Sequence, residues 1–173
     1  KPAEMIWIKR RDGSEEWAVG ADGMTDWNKY MKLNATDAEA NAYGTFSSTA
    51  PTATHFSLSQ SSRANYTGYE YIAMLFASVD GISKVGSYTG TDGSTITITT
   101  GFPPRFIVVK KTDGAGSWHV FDTVRGMGSG NDPVLMLNNN NAQVAVDYIN
   151  PTSTGWQTVG GNLAQGNFIY YAH

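Results

Sequence analysis

The feature that most constrains this chain is a recurrence within it. Pro2-Ala3-Glu4-Met5-Ile6-Trp7-Ile8-Lys9-Arg10-Arg11-Asp12-Gly13, followed by Trp17-Ala18-Val19, is answered by Pro103-Pro104-Arg105-Phe106-Ile107-Val108-Val109-Lys110-Lys111-Thr112-Asp113-Gly114, followed by Trp118-His119-Val120. Pro, Lys, the Asp-Gly pair and Trp fall in the same places without a gap. Further on, Leu33-Asn34 answers Leu137-Asn138, and Pro51-Thr52-Ala53-Thr54 with Phe56 answers Pro151-Thr152-Ser153-Thr154 with Trp156. Tyr71-Ile72-Ala73 answers Phe168-Ile169-Tyr170. Internal similarity on this scale marks a repeated structural unit. Repeat one is read as 1–84 and repeat two as 85–173.

The repeated segments read as strands. Met5 to Arg10 and Phe106 to Lys111 are short, β-branched or aromatic runs between Pro and Asp-Gly, and Asp-Gly predicts a hairpin turn. Thr95-Ile96-Thr97-Ile98-Thr99 alternates strictly, the pattern of a strand with one wet face. Val134 to Leu137 and Tyr71 to Phe76 are continuous apolar runs, read as central strands. Ala35 to Ala40 and its counterpart from Asn139 to Gln143 are read as loops. The segment Gly81 to Tyr88 is a structured connection that begins a strand. About a dozen short strands with frequent turns predict an all-β protein. Each repeat alone buries little surface, so the expected fold is one jelly-roll-like β-sandwich over 1–173, with internal pseudo-symmetry. Two small sandwiches in contact are the alternative.

Composition narrows the classes. Among 173 residues, 40% are hydrophobic, enough for a globular core, and only 16% are charged. The net charge of −3 offers no positive field for nucleic acid and no basic face for a membrane surface. No apolar run is long enough to span a bilayer. The chain has no cysteine, which rules out disulfides and thiolate chemistry. It opens on Lys1-Pro2-Ala3-Glu4, without Met or a signal-peptide pattern, and reads as part of something longer.

Several segments in combination carry a family likeness. They are Gly86-Ser87-Tyr88-Thr89-Gly90, Phe106 to Asp113, Trp118 to Gly126, Gly130-Asn131-Asp132-Pro133, Asp147 to Pro151 and Phe168-Ile169-Tyr170. Together they resemble a repeated β-rich domain of virion proteins from tailed bacteriophages, found in tail-fibre and other structural proteins, often beside concanavalin-like lectin modules. The likeness spans nearly the whole chain, although the first repeat departs from it after Trp17. It implies location in a virion and contact with other virion proteins. It also implies a receptor-facing or assembly role, without naming a ligand. The expected function is host-surface attachment with glycan as the ligand class, in a homo-oligomer such as a trimer. A purely structural decoration or spacer domain is the first alternative, and a glycan-cleaving enzyme the second.

The residues give little support to catalysis. His55, His119 and His173 show no metal-ligand spacing, and no carboxylates pair by sequence. Neither an enzyme nor a metal or cofactor site is expected. Residues that recur in both repeats, such as Trp17 with Trp118, are assigned to folding. Residues that occur once are the candidates for binding. Trp7, Trp27 and Tyr30, with Tyr43, Tyr66 and Tyr69, are candidates for a sugar-stacking surface. Arg125 with Asp122 and Asp132, in a Gly-rich loop, is a candidate for holding an anionic sugar, and equally for an ion pair that pins the loop.

Overall fold

The computed structural model describes residues 1–42, 44–91 and 93–173. Among them the fold is all-β, with a single 3-10 turn at Gly161–Leu163 and no α-helix. The first half supplies β1 (Met5–Arg10), β2 (Ala18–Ala21), β3 (Lys29–Lys32), β4 (Ala40–Asn41) and β5 (Tyr71–Phe76), which form one antiparallel sheet in the order β4-β3-β2-β1-β5. The second half supplies β6 (Lys84–Gly90), β7 (Thr97–Thr99), β8 (Phe106–Lys111), β9 (His119–Asp122), β10 (Asp132–Met136) and β11 (Val144–Val146). It continues through β12 (Ile149–Thr152), β13 (Gly155–Thr158) and β14 (Gly166–Ala172). These build a six-stranded sheet, β11-β10-β9-β8-β14-β6, and a three-stranded one, β12-β13-β7.

The apolar residues of β1 and β8 are explained by burial on both faces. Met5 of β1 and Val19 of β2 share a core with Val108, Trp118, Val120 and Ile169. The five- and six-stranded sheets therefore pack as a β-sandwich around residues from both halves. Ile6 and Ile8 point the other way, onto Trp27, Tyr30, Ala42, Phe46 and Ala64. On the far side of the six-stranded sheet, Ile107, Val109, Phe121 and Phe168 pack on Ile98, Ile149 and Trp156 of the small sheet. In layer order, the loop region 44–64 covers the five-stranded sheet, which packs on the six-stranded sheet, which in turn is covered by the small sheet.

Corresponding positions keep corresponding partners. Met5 pairs with Ala21 and Phe106 with Asp122. Leu33 N–H donates to Trp17 O and Leu137 N–H to Trp118 O, both at 3.1 Å. The Trp17 N–H donates to Asn34 Oδ1 at 3.2 Å and the Trp118 N–H to Asn138 Oδ1 at 2.8 Å. The halves are also stapled to each other. The Lys110 ammonium is buried and donates to the Thr36 carbonyl at 3.4 Å and the Asp37 carbonyl at 2.9 Å, and burial lowers its pKa to about 8. Lys9 instead turns back on its own loop, at 2.9 Å from the Gly13 carbonyl.

The strands before and after each Asp-Gly pair form the expected hairpins, β1 with β2 and β8 with β9. Two expectations are corrected. The connections are not those of a jelly roll, because β1 to β4 and β8 to β11 run as meanders, each within one sheet. Strand β5 is an edge strand rather than a central one, with Ile72 45% and Leu75 54% exposed. A continuous apolar run does not distinguish these positions, since sheet order is set by non-local pairing.

Candidate functional site

The aromatic residues proposed for stacking are mostly core. Trp27 is 9% and Tyr30 8% exposed. Trp27 lies edge-on to Phe46 at 5.9 Å and donates its indole N–H to Asp22 Oδ1 at 3.0 Å. The Arg63 guanidinium sits over the Tyr30 ring at 5.3 Å. No small sheet covers this face of the five-stranded sheet, and these rings close it instead. That is why they occur once, so the expectation that they form a binding surface is overturned. Trp7 is half-buried between Phe76, at 4.8 Å, and Trp118, at 6.4 Å. It packs against the sandwich core. Tyr66 and Tyr69 do stay exposed and stack at 5.5 Å, with the Arg10 guanidinium 3.3 Å above the Tyr69 ring. Tyr43 lies outside the described residues.

The Arg125 loop is held mainly by bonds among its own residues. Asp122 Oδ2 is 2.6 Å from the Arg125 guanidinium, and Asp122 Oδ1 accepts the Arg125 backbone N–H at 2.8 Å. Arg125 also donates to the Val120 carbonyl at 3.3 Å. Asp132 does not join this pair. It is 1% exposed and accepts the Gly128 N–H at 2.7 Å, and burial raises its carboxyl pKa. Asp122 and Asp132 each hold a different part of the loop in place. The guanidinium is paired with Asp122 through one nitrogen, while its Nε and Asp132 Oδ2 are buried without a hydrogen-bond partner among the described residues. Among the described residues no three His, Asp or Glu side chains converge as metal ligands.

A different place has the form of a site. A cleft of ≈ 840 Å³ opens on the outer face of the six-stranded sheet, between the 115–119 approach to β9 and the 161–165 turn. Its walls include Lys111, Ser117, His119, Tyr148, Asn162 and Phe168. Strand alternation sets this composition: Trp118 and Val120 face the sandwich core, so His119 and Phe121 must face outward. His119 is 6% exposed, lies edge-on to the Tyr148 ring at 5.6 Å, and its Nδ1 has no hydrogen-bond partner. Burial pushes its pKa down to about 4, so the imidazole is neutral at pH 7. Asn162 Nδ2 donates to the Tyr148 hydroxyl at 2.9 Å, fixing ring and amide together. Lys111 brings an amine to the rim, 3.9 Å from Asp113.

Sequence reasoning passed over this cleft. The signal was present at one position: His119 stands where the first repeat has Ala18, a one-sided difference on an otherwise matched strand.

Over residues 1–173 the chain matches the model of a domain of unknown function, DUF7483, and belongs to that family. No curated protein and no solved structure matches it.

Proposed function

We propose that this DUF7483 domain is a non-enzymatic attachment module of a tailed-phage virion, built from a duplicated unit, and that its cleft beside His119 takes a residue of a host-surface glycan. The observation that carries the binding reading is the cleft of ≈ 840 Å³ itself, in whose wall the Tyr148 ring is fixed to the Asn162 amide beside a neutral His119. The groups around it suit the same ligand class. Tyr148 offers a ring for the apolar face of a sugar, while Asn162, Gln165 and Ser117 offer amide and hydroxyl groups for its edge. The described lining residues include no carboxylate pair of the kind that cleaves glycosides. The virion context rests on the sequence resemblance. The duplication is supported by the matching registers and by the shared Asn-to-Trp hydrogen bonds of the two halves.

The exposed apolar residues of β5 favour a second reading, a structural spacer that assembles with other virion proteins or as a homo-oligomer. A glycan array run beside a host-cell binding assay separates the two. The attachment reading expects saturable binding that Tyr148→Ala or Asn162→Ala weakens about tenfold or more, a loss of roughly 1.4 kcal/mol, and that Arg125→Ala leaves intact. Absence of binding to both arrays and cells would sink it and leave the spacer.

A further inference from the structure

Strand β5 ends its sheet with one side unpaired, although the matching strand of the other half is paired on both sides. On β1, β5 keeps the register Met5↔Phe76 to Arg10↔Tyr71. On β8, β14 keeps the register Ile107↔Ala172 to Lys111↔Phe168. The flanking bonds agree: Arg11 N–H donates to Glu70 O, and Thr112 N–H to Asn167 O, both at 2.8 Å. In an antiparallel ladder, alternate residues bond to alternate sides. Ile72 and Met74 therefore bond toward β1, while Tyr71, Ala73 and Leu75 present their N–H and C=O groups to the open side. Their counterparts Phe168, Tyr170 and Ala172 face β6, opposite Tyr88, Gly86 and Lys84.

Edge strands are normally protected by charge, proline or a bulge. Strand β5 reads Tyr-Ile-Ala-Met-Leu-Phe and has neither a charged residue nor a proline. Ile72, Met74 and Leu75 are 45%, 39% and 54% exposed, Ile72 and Met74 on the sandwich side of the sheet and Leu75 on its outer side.

We propose that the open edge of β5 is a docking site for an extended protein segment with the β6 pattern, which adds an antiparallel strand to the first-half sheet as β6 does to the second. This rests on the duplication reading. The continuity is with a contact already inside the chain, β6 on β14. The occupant is a free strand and not a folded second copy, because the β6 of a folded copy already directs its inward N–H and C=O groups to its own β14. The site is also less demanding than its model. Gly86 is required opposite Tyr170, since a Cβ there would meet the Tyr170 hydroxyl at 2.6 Å. At β5 the counterpart of Tyr170 is Ala73, so the docking strand can carry a side chain at that position.

The test uses the whole chain and a labelled peptide copying Ser83 to Thr91. The expected result is saturable binding, with new hydrogen-exchange protection at Tyr71, Ala73 and Leu75 and none at Phe168, Tyr170 and Ala172. N-methylation of the peptide at the positions of Lys84, Gly86 and Tyr88 should weaken binding about a hundredfold, because three bonds are lost. N-methylation at Val85 and Ser87, which face away, should leave it unchanged. The proposal is overturned by no binding, by equal loss from both methylation patterns, or by protection changes at β14 that signal strand exchange. It is also overturned if the chain dimerises without peptide and Leu75→Lys abolishes the dimer, for then the edge serves a second copy. Failure here, with Asn34 and Asn138 still contributing equally to stability, would leave the duplication standing.

Discussion

The outer faces of the two main sheets are built on the same hairpin and finished differently. Over the five-stranded sheet, loop residues close down on Ile6, Ile8 and Ala18, with Trp27 and Phe46 filling the space. Over the six-stranded sheet, a separate three-stranded sheet covers Phe121 and Phe168 but leaves the cleft at His119. Position 18 is Ala under a dry cover, and the equivalent position 119 is His beside an incomplete one. The backbone frame is set by what the halves share. What each face can do is set by how it is covered.

The sharpest attempt to break this comparison is at the shared core. Trp118 is 1% exposed and donates its indole N–H to the Lys32 carbonyl at 2.9 Å, whereas Trp17 is half-buried. Trp118→Ala should cost about 3–5 kcal/mol and destabilise both halves in one transition. Trp17→Ala should cost under about 2 kcal/mol. Urea denaturation followed by tryptophan fluorescence and by circular dichroism reads both. Separate transitions for the two halves would show that they do not depend on one core.

The next contrast is in pH. His119 has an unperturbed value of 6.5 and a folded value of about 4. Above pH 6.5 it is neutral in both states and contributes no pH dependence. Between pH 6.5 and about 4 the unfolded chain binds the extra proton, so stability falls with the pH, by up to roughly 3 kcal/mol. Below that range the loss is complete and the slope from this group ends. His119→Gln should flatten the curve across the window, measured as the denaturation midpoint against pH. A slope that survives the substitution would assign the acid sensitivity elsewhere.

The smallest effect tests likeness, not difference. Asn34→Ala and Asn138→Ala each remove the acceptor of a Trp backbone N–H. Each should cost about 1 kcal/mol, equal to within half of that. A large inequality would show that the matched bonds do not do matched work.

Much of the frame was legible in the sequence. The strands at Met5 to Arg10 and Phe106 to Lys111 and the hairpins that follow them were readable from their apolar runs, and Trp118 fills a core that residues of both halves share. The candidate site was not legible, for a physical reason. Trp27 lies in a polar stretch between Asp26 and Asn28, and only the closing of 44–64 over it makes it core. The rule that single-copy residues mark function confused function with a local need to fill space. The same rule applied inside a strand, at Ala18 and His119, points to the cleft. Strand β5 was misplaced because its own residues fit an edge or a centre equally well, and only the absence of a neighbour on its far side decides.

The Lys110 staple turns the contact between the halves into a chemical clock. Its amine has a pKa of about 8, so near that pH half of the molecules carry a nucleophile that sealed packing keeps from reagents. An acylating reagent reaches it only when the loop at Thr36 and Asp37 lifts away. The pace of acylation at Lys110, set against that of exposed lysines such as Lys1, therefore records how often the two halves part.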